Sequence, residues 1–213
     1  MPDDLFPADL GCEAITDGAV LLRGFALDRA EGLVTAVTDI AQAAPFRHMV
    51  TPGGFSMSVA MTNCGQAGWV TDRTGYRYDA RDPESGRLWP AMPATFTDLA
   101  ARAADEAGYV SFRPESCLIN RYEPGARMSL HQDRNERDFG QPIVSVSLGL
   151  PAVFLFGGLK RADRPRRIPL KHGDVVVWGG PARLRFHGVA PLADGVHKLL
   201  GRHRINLTFR NYS

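Results

Sequence analysis

The tripeptide His131-Gln132-Asp133 begins and ends with side chains that bind metals well. Residues two apart on an extended strand project from the same face, so the imidazole and the carboxylate can converge on one ion. A third ligand must come from elsewhere, and His187 lies in the strand-like run 184–189, where Gly188 allows another group to approach. Two histidines and one carboxylate form the facial triad typical of Fe(II) sites with open coordination positions.

This metal hypothesis has a simpler competitor. A His-x-Asp sequence arises by chance in many proteins, and His187 is equally consistent with a hydrogen-bonded histidine in a protein core. The decision between the two depends on the residues that would surround the metal.

Strict alternation along residues 204–210 predicts a strand with three apolar side chains on one face and four polar ones on the other. An ordinary half-exposed strand would turn that polar face to water. The run 118–122 predicts a second strand, in which Asn120 and Tyr122 share a face. The two polar faces therefore either meet solvent or line the same interior.

If these faces point inward beside the metal, Arg204 and Arg210 need an acidic partner, because buried unpaired guanidinium groups are strongly destabilising. Arginine matches carboxylates with two parallel hydrogen bonds. With Asn206 and the polar residues of the second strand, the set fits a small dicarboxylate. The natural candidate is 2-oxoglutarate.

The elements that position these residues are of two kinds. Amphipathic periodicity predicts helices over about 29–44, capped by Asp28 and Glu31, and over about 94–107, ended by Gly108. After Gly108, short β-like runs separated by turns predict an antiparallel sandwich or barrel, with the helices outside a sheet. The runs are 117–122, 128–131, 143–150, 153–156, 167–170, 174–178, 184–189 and 203–210.

Residues 45–90 contain many aromatic, glycine and proline residues but little periodicity, and only 56–62 alternates like a strand. A long irregular segment in a compact domain is more often a functional flap than a plain linker. Its aromatic side chains are also consistent with a small satellite core.

Composition bounds the class of protein. With 213 residues, 44% hydrophobic and 23% charged, the chain predicts one globular domain and excludes disorder. Three dispersed cysteines argue against a disulfide framework or structural zinc and favour a reducing compartment. No run is apolar enough to span a bilayer. We expect a soluble, cytoplasmic protein without membrane contact, and a monomer because no amphipathic face is left over.

The net charge of +2 conceals an asymmetry. Residues 160–213 carry 12 Lys and Arg against three Asp, a balance of +9, which leaves −7 for residues 1–159. The run 160–171 alone holds six basic residues and one acidic residue. Such a surface suits anions, nucleic acids among them, although a solvated hairpin explains the run equally well by itself.

Five longer stretches resemble the AlkB family of iron- and 2-oxoglutarate-dependent dioxygenases, which repair alkylated nucleic acids, and are especially similar to its bacterial members. They are MVTPGGFSMSVAMTNCGQAGW, CLINRYEPGARMSLHQD, PIVSVSLGLPAVFLFGGLKR, HGDVVVWGGPARLRFHGV and RINLTFR. The resemblance covers nearly the whole chain. It implies a mainly β fold with flanking helices (α+β) in a single domain. About 1–90 would form an N-terminal extension with a nucleotide-recognition lid, and about 91–213 a helix and a double-stranded β-helix (jelly-roll) core.

The resemblance also implies roles for the polar residues near the metal. The Fe(II) ligands, which are also the catalytic residues, would be His131, Asp133 and His187. Arg204 would pair with the distal carboxylate of 2-oxoglutarate, helped by Tyr122. The rest of that pocket would be lined by Asn120, Asn206 and Arg210.

On the substrate side, the resemblance implies that Trp69 stacks on a flipped damaged base and that Tyr76 lies against the nucleotide backbone, with Arg161 also on this side. Position 135 is a departure, since Asn135 stands where bacterial members usually carry an aspartate beside the exocyclic amine of the base. A neutral amide does not attract a cationic base, although we expect Asp133 and Glu136 to supply negative charge nearby.

The implied function is oxidative demethylation of N-alkylated bases such as 1-methyladenine and 3-methylcytosine. The substrate would be single- or double-stranded DNA, with RNA as an alternative, and the reaction would use Fe(II), 2-oxoglutarate and O2 and release formaldehyde, succinate and CO2. Two alternatives are an oxygenase of the same fold acting on a protein or small molecule, and a non-catalytic nucleic-acid-binding module. The basic run and the lid aromatics argue against the first, and the intact triad with both arginines argues against the second.

Overall fold

A computed structural model describes residues 11–213, so the first ten residues of the predicted N-terminal extension lie outside the described range. The helices are α1 Ala30–Ala43 and α2 Ala94–Glu106, with short 3-10 turns at Leu27–Arg29 and Gly180–Ala182. The strands are β1 Gly11–Thr16, β2 Ala19–Arg23, β3 Arg47–Val50, β4 Ser56–Gly65, β5 Gly68–Asp72, β6 Gly75–Asp79, β7 Ser116–Tyr122, β8 Met128–His131, β9 Ile143–Gly149, β10 Ala152–Phe156, β11 Arg166–Leu170, β12 Val175–Trp178, β13 His187–Val189 and β14 Arg204–Arg210. None of the helices in residues 11–213 is long and apolar enough to cross a membrane.

These strands form two principal antiparallel sheets. The major sheet has eight strands in the order β1-β2-β12-β9-β14-β7-β4-β3, and the minor sheet has four in the order β11-β10-β13-β8. Side chains from both sheets form one buried apolar cluster, which includes Tyr122, Phe154 and Trp178. This arrangement confirms the predicted jelly-roll. The strands β5 and β6 pair only with each other and form a separate hairpin.

The alternation predicted for β14 separates two environments. Ile205, Leu207 and Phe209 belong to a second buried apolar cluster on the outer face of the major sheet, where the helices pack. The intervening polar side chains therefore point to the other face, toward the minor sheet. All seven residues of β14 are buried, so the polar face of this strand is an interior surface and does not meet water.

Both predicted helices are present, but one predicted cap is wrong. The apolar stripe of α1 buries Leu33, Val37 and Ile40 as its periodicity indicated. Asp28 does not cap this helix, because it lies within the 3-10 turn that leads into α1, and the residue at the cap position makes no side-chain hydrogen bond there. The helix α2 ends just before Gly108, whose φ of +85° suits glycine.

The chain before residue 91 contains more strand than its sequence pattern predicted. The expectation of a largely irregular 45–90 segment is wrong for β3, β5 and β6, and β1 and β2 were also missed. In β1 and β6 nearly all residues are at least partly exposed, so no alternation of buried and exposed residues marks them. Four strands of the major sheet come from this part of the chain.

The strand predicted over 184–189 is shorter in the structure. Only His187–Val189 pairs with its neighbours, because the 3-10 turn at Gly180–Ala182 continues into a turn before the chain extends. Glycine at position 188 has a structural reason, since a Cβ there would lie 2.6 Å from the carbonyl oxygen of Met128 on β8. The absence of a side chain lets β13 and β8 approach closely.

We predict that Phe96→Ala lowers the free energy of unfolding by about 3–5 kcal/mol, the usual range for removing a buried aromatic side chain. Phe96 is fully buried on α2 and its ring meets that of Phe209 edge-on, with centroids 5.7 Å apart. Urea unfolding followed by circular dichroism measures the loss. Leu88→Ala is the control, because Leu88 is exposed, and its effect should stay within about 0.5 kcal/mol. Equal effects of the two substitutions would contradict this packing.

Candidate active site

Two adjacent strands of the minor sheet bring the predicted metal ligands together. His131 ends β8 and His187 begins β13, and the two residues are direct partners in the antiparallel register. Asp133 follows β8, and the ligand atoms of all three residues lie within 4.8 Å of one another. Nε2 of His131 and Nε2 of His187 lie 3.8 and 3.6 Å from the Asp133 carboxylate oxygens. The structure thus assembles the predicted group from two separate parts of the sequence.

Both imidazoles are oriented by backbone carbonyl groups. Nδ1 of His131 lies 2.8 Å from the carbonyl oxygen of Ser129, and Nδ1 of His187 lies 3.0 Å from that of Arg185. These contacts assign the ring protons to Nδ1 and leave the Nε2 lone pairs free toward Asp133. Partial burial and the neighbouring His187 lower the pKa of His131 to about 4, so its ring is neutral at pH 7. A neutral imidazole is the form that binds metals.

The carboxylate of Asp133 is buried and is paired with Arg210. Nε and Nη2 of Arg210 donate to Oδ2 of Asp133 at 3.0 and 2.7 Å. Burial alone would raise the pKa of Asp133, but the Arg210 guanidinium outweighs it and holds the pKa well below its usual value. The ligand is therefore ionised, and its Oδ1 oxygen makes no hydrogen bond to Arg210.

A second buried carboxylate, Glu136, lies behind Asp133. It accepts hydrogen bonds from the Tyr78 hydroxyl at 2.6 Å and from Nη2 of Arg183 at 3.1 Å, and Nε of Arg210 lies 3.5 Å away. The expectation that Glu136 supplies negative charge to a bound base is therefore wrong. Its side chain is only 1% exposed and its charge is compensated by two guanidinium groups.

The polar face of β14 contains an arginine whose hydrogen-bonding capacity is only partly used. Arg204 is 1% exposed, and its Nη2 donates to Oγ of Ser147 at 2.8 Å. Its guanidinium lies over the ring of Tyr122, 4.9 Å from the centroid. Within the described residues, Nε and Nη1 of Arg204 have no hydrogen-bond partner. A buried cation with two free N–H groups is costly unless a ligand accepts them.

The two predicted asparagines differ in what they can offer a ligand. Asn206 is fully used inside the protein, because its amide donates to Ser145 Oγ and the Val146 carbonyl and its oxygen accepts from Asn120 and Thr208. Asn120 donates to Asn206 at 3.2 Å, and its own oxygen has no partner among the described residues. Asn206 thus orients Asn120.

These observations fit Fe(II) and a dicarboxylate. Two imidazoles with Nε2 directed toward Asp133 and one ionised carboxylate are a suitable donor set for Fe(II), and three ligands leave coordination positions open. The unpaired nitrogens of Arg204, together with Nη1 of Arg210, which is also buried without a partner, are a suitable donor set for a carboxylate ligand.

The predicted lid residues meet on the separate hairpin. Trp69 on β5 and Tyr76 on β6 are stacked with ring centroids 5.7 Å apart and planes 24° apart. Nε1 of Trp69 donates to Oδ1 of Asn135 at 3.1 Å, which connects the hairpin to the segment after the metal ligands. The buried Asn63 side chain on β4 bonds both the backbone N–H and the carbonyl of Trp69. One residue therefore anchors the start of the hairpin to the major sheet.

Arg161 lies in the turn after β10 with its guanidinium over the ring of Phe186, 5.8 Å from the centroid. Phe186 immediately precedes His187, so this exposed cation is held near the metal ligands. Lys160 and Arg164 in the same turn are also exposed. Arg166 is engaged elsewhere, since it donates to the carbonyl of Ile15. The basic run thus presents fewer cations toward a ligand than its composition indicated.

Three residues of the site were not identified from sequence. Arg183, Tyr78 and Ser147 all contact predicted site residues, yet none belongs to a motif with a defined spacing. Arg183 lies in a turn and would ordinarily be assigned to the surface, as most arginines are. No local signal in the sequence marks it as buried.

The chain matches the 2OG-Fe(II) oxygenase superfamily over residues 18–210. It is 58% identical to the alpha-ketoglutarate-dependent dioxygenase AlkB of Escherichia coli K12, a match that covers 97% of this chain and 96% of that protein. It is 33% identical to the mouse nucleic acid dioxygenase ALKBH1 over 60% of this chain and 33% of that protein. The solved structure of OsALKBH1 superposes with a TM-score of 0.85 at 27% identity, covering 94% of this chain and all of that one.

We predict that His131→Ala removes tight binding of a divalent metal while changing the free energy of unfolding by no more than about 0.5 kcal/mol. The side chain of His131 is 39% exposed, so its loss removes a ligand and little packing. Calorimetric titration with Mn²⁺ tests the first part and urea unfolding tests the second. His48→Ala, which removes an exposed histidine that is not in the triad, should bind Mn²⁺ as the wild type does. Undiminished Mn²⁺ binding by the His131 variant would exclude this site.

Proposed function

This chain belongs to the AlkB family of the 2OG-Fe(II) oxygenase superfamily and is a 2-oxoglutarate-dependent dioxygenase; we propose that it demethylates N-alkylated bases, such as 1-methyladenine and 3-methylcytosine, in DNA. RNA is the second candidate substrate. We further propose that it acts as a cytoplasmic monomer, in which one domain combines a lid within about 1–90 and a catalytic core over about 91–213.

One observation supports this proposal above the others. A triad of metal-ligand side chains and a buried arginine with two unsatisfied N–H groups share the interior between the two sheets. In our proposal His131, Asp133 and His187 hold Fe(II), and Arg204 receives the distal carboxylate of 2-oxoglutarate. Asn120, Tyr122, Asn206 and Arg210 complete that pocket, with Asn206 acting through Asn120.

When bound, Fe(II) with 2-oxoglutarate and O2 supplies the oxidising power that converts an N-methyl group into formaldehyde, with release of succinate and CO2. The protein side chains hold the reactants. Arg210 keeps Asp133 ionised and fixes one of its oxygens, and the carbonyls of Ser129 and Arg185 keep both imidazoles in the ligating tautomer. The apolar cluster between the sheets keeps bulk water from the co-substrate pocket.

The lid supports nucleic acid as the substrate. A base must leave the helical stack to reach a metal at the end of β8, and bases that cannot pair normally cost less to extrude. Stacking on an aromatic side chain contributes about 1–3 kcal/mol per base, and in our proposal Trp69 takes this role with Tyr76 beside it. Arg161, next to the metal-bearing strand, supplies a cation for a phosphate group.

Asn135 gives the lesion preference a specific physical basis. Its side-chain oxygen already accepts the Trp69 indole N–H, and its amide carries no charge. The two nearby carboxylates, Asp133 and Glu136, are both paired with arginine. A cationic base therefore meets little unbalanced negative charge here, and we propose that this enzyme relies on stacking more than on charge for base recognition.

The proposal is tested with purified protein, Fe(II), 2-oxoglutarate and an oligonucleotide containing 3-methylcytosine. We expect methyl loss with stoichiometric formaldehyde and succinate, measured by mass spectrometry. Arg204→Met, which removes the cation for the distal carboxylate, should need much higher 2-oxoglutarate. Succinate formation with a protein or small molecule but never with a methylated base would favour the same-fold alternative. Nucleic-acid binding without any succinate formation would favour a non-catalytic module.

We predict that Asn135→Asp shifts the preference toward cationic lesions. A carboxylate adds attraction to 1-methyladenine and 3-methylcytosine and still accepts the Trp69 indole hydrogen bond. The ratio of kcat/KM for 3-methylcytosine to that for the neutral lesion 3-methylthymine should rise about tenfold, equivalent to about 1.4 kcal/mol. Gln42→Glu, which changes an exposed amide on α1 to a carboxylate away from the site, is a control with the same charge change. An unchanged ratio in the Asn135 variant would exclude a charge-based role for this position.

A further inference from the structure

Arg183 is a buried guanidinium whose partners all lie in one short segment. It is 2% exposed. Its Nη1 donates to the backbone carbonyl of Asp133 at 3.0 Å, its Nε to that of Gln141 at 3.1 Å, and its Nη2 to the Glu136 carboxylate at 3.1 Å. The ring of Phe139, from the same segment, covers the guanidinium at 5.4 Å. A buried charge is stable only when paired and hydrogen-bonded in this way.

The segment 133–141 has no regular secondary structure. It begins at the metal ligand Asp133, contains Asn135, which bonds the lid tryptophan, and ends just before β9. Its conformation is therefore not fixed by a strand ladder. Instead, Arg183 donates hydrogen bonds to this segment near both of its ends and in its middle.

Arg183 also lies close in sequence to the third ligand. It follows the 3-10 turn at Gly180–Ala182 and precedes His187 by four residues. The next residue, Leu184, accepts a hydrogen bond from the Gln132 side-chain amide through its carbonyl. Hydrogen bonds thus connect the segment that leads to His187 with the segment that contains His131 and Asp133. These bonds connect the two halves of the triad without touching a ligand atom.

We propose that Arg183 is a positioning residue that fixes Asp133 relative to the paired His131 and His187, and that this arrangement sets the affinity for the metal. The inference rests on the proposed metal centre and adds a residue outside it. Lysine cannot substitute, because a single ammonium cannot reach three acceptors spread along a planar fork. Groups that orient metal ligands from outside the coordination sphere typically contribute about 10–100-fold to metal affinity.

The test is the Mn²⁺ affinity of the metal-free full chain, titrated with Mn²⁺ alone and followed by the paramagnetic resonance signal of the free ion. We expect Arg183→Lys, which keeps the charge beside Glu136, to raise the dissociation constant for Mn²⁺ about 10–100-fold. Unfolding of each variant in urea is measured in parallel, so that a general loss of stability is recognised.

Arg23→Lys is the matched control. Arg23 also donates to three acceptors, namely Glu13, Asp174 and the Pro169 carbonyl, but it lies on β2 near one edge of the major sheet and contacts none of the triad residues. The Arg23→Lys variant should be less stable than the wild type but should keep the wild-type Mn²⁺ affinity. If Arg183→Lys does not fold, Arg183→Met is used, because Glu136 then remains bonded to Tyr78 and close to Arg210.

The outcomes separate the two proposals. Wild-type protein that binds Mn²⁺ no better than His131→Ala would overturn the metal centre itself. Wild-type affinity in the Arg183 variant, with the wild type binding tightly, would overturn the positioning role alone. An equal loss of affinity in the Arg183 and Arg23 variants would also overturn it, because the effect would then follow stability. A loss confined to Arg183 supports it.

Discussion

The structure depends on how charge is balanced in a water-poor interior. The buried carboxylates of Asp133 and Glu136 pair with Arg183 and Arg210, and a third buried guanidinium, that of Arg204, lies at the other end of β14. Both acids and two of the arginines are mutually paired, so they are stable without a ligand. Arg204 is the arginine of this group that has no acid beside it, and it meets only a hydroxyl and an aromatic ring. A buried guanidinium without an acidic partner is a suitable binding group for an anionic ligand.

A single strand keeps this interior separate from the rest of the protein. The apolar face of β14 packs beneath the two helices, while its polar face lines the site, so the same seven residues stabilise the fold and supply the binding groups. Arg210 at the end of β14 reaches the metal carboxylate, and Arg204 at its start faces Tyr122. The length and register of β14 therefore set how Arg204 is placed relative to the triad.

The features that could be predicted from the sequence are those that follow from a short local pattern of residues. Alternation along 204–210, the periodic stripe of α1 and the His-x-Asp spacing each reflect a local geometry, and each is present. The exposed strand β1 and the hairpin β5–β6 carry no such repetition, since their neighbours and not their own pattern hold them. The burial of Arg183 and the ion pairing of Glu136 could not be predicted from the sequence, for a related reason. A long polar side chain is buried only because residues distant in sequence happen to accept its hydrogen bonds.

The hairpin formed by β5 and β6 shares no hydrogen-bond ladder with either sheet and is anchored at its start by Asn63. Changes along its exposed residues therefore leave the strand pairing around the metal intact. In evolutionary terms, substitutions on the exposed face of this hairpin and substitutions in the strands that carry the triad can accumulate largely independently, with Trp69 and Tyr78 as the points where the two parts meet. A lineage with this architecture can vary most of the hairpin residues while the strands that carry His131 and His187 stay under separate selection.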